Sequence, residues 1–126
     1  MADIVHSGRK PTQHVPLINL TPHDINIHLG DGSIVTIPRS GLVARCETQI
    51  RDLRPIFGPL GESIPYHEIG YGQVQNLPAK QEGTLFIVSA LVAQQFPRGD
   101  LVIVDDLVRD EQGQVIGCRS LAWLRA

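Results

Sequence analysis

The chain has 126 residues, of which 42% are hydrophobic, so it is long enough to form one domain with a packed core. Its formal net charge is -2 and no basic tract stands out, so we do not expect general nucleic-acid binding through phosphate contacts. No apolar run could span a bilayer and the N-terminus lacks an apolar signal core, so the sequence predicts a cytoplasmic protein without membrane contact.

The start of the chain differs in character from the rest. Residues 1–15 are polar and show no periodicity, which is typical of a flexible N-terminal arm. Residues 16–126 are expected to form a single domain. Twelve glycines and nine prolines predict many turns and short elements in it rather than long helices.

The first ordered elements read as a β-hairpin. Residues 24–29 alternate between apolar and polar side chains, and residues 33–37 form a second apolar run. The linking Gly30-Asp31-Gly32 tolerates the positive φ angles that tight hairpin turns require. After a turn at Pro38–Gly41 we expect a third strand over residues 42–47.

The middle of the chain is rich in proline and glycine. Residues 48–65 are therefore expected to contain no long strand or helix, and a loop of this length is often functional or an interaction surface. A strand is predicted from Tyr66 to Gln75, with an interruption at Gly70-Tyr71-Gly72.

The C-terminal third has clearer periodicity. Residues 83–88 are typical of a strand, residues 90–96 of a short helix, and the apolar run 101–104 of a strand buried on both faces. Residues 114–121 form the last predicted strand. The expected fold class is α+β: mostly antiparallel β with hairpins, and one strand–helix–strand unit.

The strongest candidate site is the turn before the first hairpin. Asn19, Thr21, Pro22 and His23 combine an amide, a hydroxyl, a rigid proline and an imidazole. A turn alone would use proline to fix φ and a polar side chain to cap an amide, and would leave His23 in solvent. The same rigidity would hold these groups together for a polar ligand.

Three other residues complete the predicted ligand site. Ser89 lies between a strand and a helix, where it is expected to be the N-cap and where free amides suit a phosphate. Arg45 would either reach an anion or pair with a surface carboxylate. Tyr71, between two glycines, would either stack on a flat ligand or cover the core.

The sequence gives little support for a metal site or a catalytic nucleophile. A zinc site built from His23, His28 and Cys46 is conceivable, but such sites normally show close ligand pairs. Cys118 has no adjacent basic group except Arg119, which would point to the opposite face of its strand. We therefore predict no catalytic residues, no metal site and no cofactor.

One set of short motifs is spread along residues 17–121: Asn19-Leu20-Thr21-Pro22-His23, Gly83-Thr84-Leu85-Phe86-Ile87-Val88-Ser89, Pro38, Ser40-Gly41, Ala44-Arg45, Arg98, Asp100-Leu101, Val108-Arg109-Asp110, Gly113 and Ile116-Gly117-Cys118-Arg119. In these motifs the chain resembles a family of short uncharacterised proteins found in bacteria, especially actinobacteria, and in their phages. The resemblance implies no established activity.

The leading functional hypothesis is a non-enzymatic protein that binds and sequesters a small polar, nucleotide-like ligand, for example a phage protein that counters host signalling. In it Asn19, Thr21 and His23 contact the base or sugar, and a homo-oligomer is expected. One alternative is a small hydrolase or transferase that uses His23 as general base. Another is a protein–protein interaction or inhibitor module that uses residues 48–65.

Overall fold

A computed structural model describes residues 14–125 of the chain. The predicted flexible arm therefore lies almost wholly outside the described residues. Of its last two residues, Val15 packs against one of the core clusters. The elements are β1 (Leu17–Asn19), β2 (Ile25–His28), β3 (Ile34–Ile37), β4 (Arg45–Asp52), β5 (Ile56–Phe57), β6 (Ser63–Ile64), β7 (His67–Gln75), β8 (Leu85–Ile87), α1 (Ala90–Gln95), β9 (Leu101–Arg109) and β10 (Val115–Trp123).

A six-stranded mixed sheet, which we call the main sheet, forms the body of the molecule in the order β1-β8-β9-β10-β2-β3. β8 runs parallel to β1 and β9, and β10 runs parallel to β2. The pairs β9–β10 and β2–β3 are antiparallel. The parallel pairing of β10 with β2 places the last strand beside the first hairpin, so both ends of the chain contribute to one surface.

The core lies on both faces of the main sheet, because neighbouring residues of β8 and β9 point to opposite sides. Phe86, Val88 and Leu101 belong to the cluster that also contains the helix residue Val92. Leu85, Ile87 and Val102 belong to a second cluster with residues of β2 and β10. The uninterrupted apolar sequence of β8 reflects this burial on two sides.

A second region consists of residues 45–75, which we call the ribbon. Its stem is the antiparallel pair β4–β7, and the small antiparallel pair β5–β6 forms its tip. Its base packs on the body through Cys46 and Val74, which join the helix-side cluster. Most of its other side chains are exposed.

The predicted hairpin and the predicted strand–helix–strand unit are both present. β2 and β3 pair antiparallel around the Gly30–Gly32 turn, in which Gly32 has a φ of 90°. β8, α1 and β9 follow one another, and the two strands pair in parallel.

Three other expectations are corrected. Nearly half of the described residues are in strands and only six are in the one helix among them, so the fold is closer to all-β than to α+β. The third strand begins at Arg45, because Ala44 donates its amide to Leu20 rather than to a neighbouring strand. β4 then continues to Asp52, inside a segment expected to lack a long strand, since the first proline of that segment is Pro55.

The glycines of β7 do not interrupt it. The strand runs from His67 to Gln75, and its register with β4 shifts between Cys46 and Thr48. Among residues 14–125, no helix is long and apolar enough to cross a bilayer.

Candidate ligand-binding site

The turn after β1 is held together by the side-chain amide of Asn19, which is 1% exposed. Its Oδ1 accepts hydrogen bonds from the backbone amide and the hydroxyl of Thr21, at 2.9 and 2.7 Å. Its Nδ2 donates to the carbonyl groups of His23 and Ile37, at 2.8 and 3.1 Å. All four hydrogen-bonding positions of the amide are thus used within the chain, so Asn19 shapes the turn and ties it to β3.

Arg39 ties the turn to the chain a second time. The amide of Arg39 donates to Asp24 Oδ1 at 3.0 Å, and its guanidinium reaches the carbonyl of Pro22 at 3.5 Å. Pro22 itself is exposed and fixes the backbone between Thr21 and His23. The imidazole of His23 is exposed and has no hydrogen-bond partner among the described residues, so the turn presents it to whatever lies beside it.

A cavity of about 610 Å³ opens beside this turn. Thr21 and His23 line one side of it, and Ser89 and Ala90 line another at the junction of β8 and α1. Its remaining walls come from β2, β9 and β10. Three of the predicted site residues, Thr21, His23 and Ser89, therefore meet at one cavity although they lie far apart in sequence.

The walls of the cavity are mainly apolar. The apolar residues that give it this character come from β9, from β10 and from the end of β8: Val88, Ile103, Val104, Leu107, Val115 and Ile116. Polar groups are few and lie toward the turn and the helix. Small-molecule sites commonly combine apolar walls with a few polar groups that orient the ligand.

Asn26 is a lining residue that the sequence reasoning missed. Its Oδ1 accepts a hydrogen bond from the hydroxyl of Thr36 at 2.7 Å, and within the described part of the chain its NH2 group has no partner. The signal was present in the alternation of β2, which places Asn26 on the face opposite Ile25 and Ile27. What the sequence could not show is that β10 lies beside this strand.

Gly117 allows β10 to approach β2 closely at the cavity. A Cβ atom at this position would lie 2.5 Å from the backbone oxygen of Asn26 and 2.8 Å from the imidazole of His28. Only glycine fits such a contact without a shift of the backbone. Gly117 therefore contributes to the cavity by its lack of a side chain.

Ser89 is the N-cap of α1, as predicted. Its Oγ accepts a hydrogen bond from the amide of Val92 at 3.3 Å. Because α1 has only six residues, its dipole is weak and gives little reason to place a phosphate at this terminus. The contribution of Ser89 to the cavity wall is a hydroxyl group whose proton is free to donate.

Arg45 and Tyr71 do not line the cavity. Both lie in the ribbon, Arg45 opposite Gln75 at the base and Tyr71 opposite Thr48 farther along. They are therefore not positioned to hold a phosphate or to stack on a base of a ligand that lies beside Thr21 and His23. Pro22 contributes rigidity to the turn but is not itself part of the cavity wall.

Cys118 is the one thiol at the cavity among residues 14–125. It is buried, and desolvation raises the pKa of the thiol above its ordinary value. Its side chain packs with Ile25 and Ile27 in the second core cluster, and at neutral pH the thiol is protonated and weakly nucleophilic.

A metal centre finds no support in this part of the molecule. Over residues 14–125, no three His, Cys, Asp or Glu side chains are grouped so that they could hold a metal ion. His23, His28 and Cys46, which the sequence left as a conceivable zinc site, do not form one.

No protein-family model, curated protein or solved structure matches the chain. The resemblance to short bacterial and phage proteins therefore stays a prediction, and functional argument depends on the geometry of the cavity.

Proposed function

We propose that this protein binds a small polar, nucleotide-like ligand in the cavity beside the Asn19–Asp24 turn and sequesters it without chemical change. The observation that carries this proposal is the meeting of His23, Asn26 and Ser89 around one largely apolar cavity. One setting for such a function is a phage protein that lowers the free concentration of a host signalling nucleotide.

The size and lining of the cavity support a ligand with a flat ring. Its volume of about 610 Å³ lies in the range of roughly 300–1,000 Å³ that is usual for small-molecule sites. Apolar side chains such as Ile103, Leu107 and Ile116 can pack on the faces of a nucleobase. A charged group between the same walls would lose its hydration without a compensating partner.

The polar groups support recognition of the edge of that ring and of a sugar. The NH2 group of Asn26 can donate to a ring nitrogen or carbonyl oxygen, and the hydroxyl of Ser89 can donate to a neighbouring acceptor. His23 can donate or accept from the rim. Any phosphate would extend past the rim toward solvent, because none of the arginines and lysines within residues 14–125 is part of the cavity wall.

Binding without chemistry is favoured by the state of the candidate nucleophiles. Burial keeps the Cys118 thiol protonated, and the Ser89 oxygen is already engaged as a helix cap. A nucleophile that is neither deprotonated nor hydrogen-bonded to a base reacts slowly.

The test is isothermal titration calorimetry with a panel of mononucleotides, cyclic nucleotides and nucleosides. The informative variant is Ala90→Trp, because Ala90 is exposed at the start of α1 and a bulky side chain there would fill the cavity. The matched control is Gln95→Trp, an exposed position on the same helix that does not share a face with Ala90 and does not line the cavity. We expect at least one compound to bind the wild type and the control, and to bind Ala90→Trp at least tenfold more weakly.

Two outcomes would overturn the proposal. One is the absence of binding to every compound in the panel and the absence of any copurifying compound. The other is binding that Ala90→Trp leaves unchanged. Incubation of the bound compound with the protein, followed by mass spectrometry, separates binding from turnover: sequestration predicts that its mass stays the same.

A further inference from the structure

Asp24 and Asn26 place two hydrogen-bonding groups next to each other in the cavity wall. Asp24 immediately precedes β2 and Asn26 is the second residue of that strand, so both side chains lie on the face opposite Ile25. Both residues line the cavity. Successive residues on one face of a strand are roughly 7 Å apart, which is close enough for their side chains to contact a single ring.

The hydrogen bonds that these side chains already make direct their other polar atoms toward the cavity. Asp24 Oδ1 accepts the backbone amide of Arg39 at 3.0 Å. Asn26 Oδ1 accepts the hydroxyl of Thr36 at 2.7 Å. Both donors lie on the β3 side of β2, whereas β10 lies on its other side. Since carboxylate and amide groups are planar forks, Asp24 Oδ2 and Asn26 Nδ2 point away from β3, toward the strands that enclose the cavity.

Both of these atoms are available to a ligand. Within residues 14–125 neither Asp24 Oδ2 nor Asn26 Nδ2 has a hydrogen-bond partner. The Arg39 guanidinium forms an ion pair with Asp24, but its Nε lies 3.9 Å from Oδ1, which is too far for a hydrogen bond. The side chains of that pair are 62% and 52% exposed, so water screens it. The wall therefore presents a free acceptor beside a free donor.

We infer that the cavity selects a guanine base and that Asp24 is the residue that determines this specificity. The inference rests on the proposed function of the cavity. Along one edge, guanine has two neighbouring N–H groups and, beside them, a carbonyl oxygen. The Asp24 carboxylate accepts from the N–H groups while the Asn26 NH2 group donates to the carbonyl. A hydrogen bond to an ionised carboxylate is stronger than one between neutral groups, so Asp24 contributes more to the selection than Asn26 does.

The other common bases complement these two groups less well. Uracil and thymine have a carbonyl oxygen at each end of the same edge, and a carbonyl that faces Asp24 gains no hydrogen bond because an ionised carboxylate is an acceptor only. Adenine and cytosine have one amino group beside a ring nitrogen that is itself an acceptor, so they offer the carboxylate fewer donors. A side chain that contacts two atoms of one base discriminates between bases by about tenfold or more.

Isothermal titration calorimetry with nucleosides that differ at this edge tests the inference. Inosine lacks the amino group of guanosine, and xanthosine has a carbonyl group in its place. We expect the wild type to bind guanosine about tenfold or more tightly than inosine, adenosine or uridine.

Asp24→Asn is the informative variant. It keeps the Oδ1 atom that accepts the Arg39 amide, so it should fold, which circular dichroism would check. It presents an NH2 group in place of Oδ2, so it should bind guanosine about tenfold more weakly than the wild type does and should prefer xanthosine to guanosine. The matched control is Glu82→Gln, which removes an exposed carboxylate outside the cavity and should bind as the wild type does.

The failure of this inference and the failure of the proposed function give different results. Equal affinity for guanosine and adenosine, in a site that Ala90→Trp closes, would overturn the guanine inference alone. An Asp24→Asn variant that still prefers guanosine to xanthosine would do the same. No binding of any nucleoside or nucleotide, with no copurifying compound, would overturn both proposals.

Discussion

The main sheet and the ribbon are built from strands of similar length, but their side chains are buried to very different extents. β9 and β10 have nine residues each, and β4 and β7 have eight and nine. In the main sheet these strands have neighbours on both sides and apolar cover, whereas the ribbon stem has two strands and leaves most of its side chains exposed. Backbone pairing thus defines both regions, but only burial against further layers makes a region stable by itself.

The largest expected difference is in the unfolding free energy lost when one ion pair of each region is broken. Arg98 holds the buried carboxylate of Asp100 through Nε and Nη2 at 2.6 and 3.0 Å, and also donates to the carbonyl of Pro78 at 2.9 Å. Arg98→Ala would leave that carboxylate buried without its partner, which should cost about 3–5 kcal/mol of unfolding free energy.

The control is Arg51→Ala in the ribbon, whose ion pair with Glu68 is solvent-exposed. Its loss should cost no more than about 1 kcal/mol, because water screens and solvates the pair. Urea unfolding of both variants at the same protein concentration would give the two values. Similar costs for the two variants would contradict the distinction between a buried body and an exposed ribbon.

The next largest effect concerns the amide that shapes the turn. Asn19→Ala removes four hydrogen bonds and leaves the half-buried carbonyl of Ile37 without this donor, so we expect a loss of about 2–3 kcal/mol. Asn26→Ala is the matched control, since it removes a single exposed side-chain bond to Thr36 and should cost less than about 1 kcal/mol. Thermal unfolding followed by circular dichroism would rank the two variants, and a reversed ranking would show that Asn19 does not hold the turn.

The smallest expected effect on stability comes from the hairpin turn at the edge of the main sheet. The hydroxyl of Ser33, 2.6 Å from Asp31 Oδ1, and then the amide of Ser33 lower the pKa of the Asp31 carboxyl below its ordinary 3.8. The stabilisation from this turn is therefore present above pH 3.8 and is lost as the pH falls through the lower pKa of the folded state.

An NMR titration of the Asp31 carboxyl would measure that pKa directly. Ser33→Ala should bring it back toward 3.8, because the hydroxyl is the larger cause of the shift. A wild-type value at or above 3.8 would show that the turn does not hold the carboxylate in this way.

Local patterns predicted the parts of the fold that depend on neighbours in sequence. The alternation of β2 and the Gly30–Gly32 turn indicated the hairpin, and the apolar strand, Ser89 and the short helix indicated the strand–helix–strand unit. One strand of the ribbon was predicted, over Tyr66–Gln75. Its partner beyond residue 47 was not, because Thr48, Gln49 and Arg51 carry no apolar alternation and their pairing partners lie about twenty residues later.

The candidate site was predicted only in part for the same reason. The polar turn itself was visible in the sequence, as was the cap at Ser89. Asn26 and Gly117 meet at the cavity only because β10 pairs in parallel with β2, a long-range contact that no local pattern encodes. The grouping of Arg45 and Tyr71 with the turn relied on residue type alone, without knowledge of where the ribbon would place them.

The central claim, that the cavity holds a small polar ligand, is tested most directly by mass spectrometry of compounds released when protein purified from its native cells is denatured. We expect the wild type and Gln95→Trp to release the same nucleotide-like compound and Ala90→Trp to release none. Release of the compound in equal amounts from Ala90→Trp, or of no compound from the wild type together with no binding to the nucleotide panel, would contradict it.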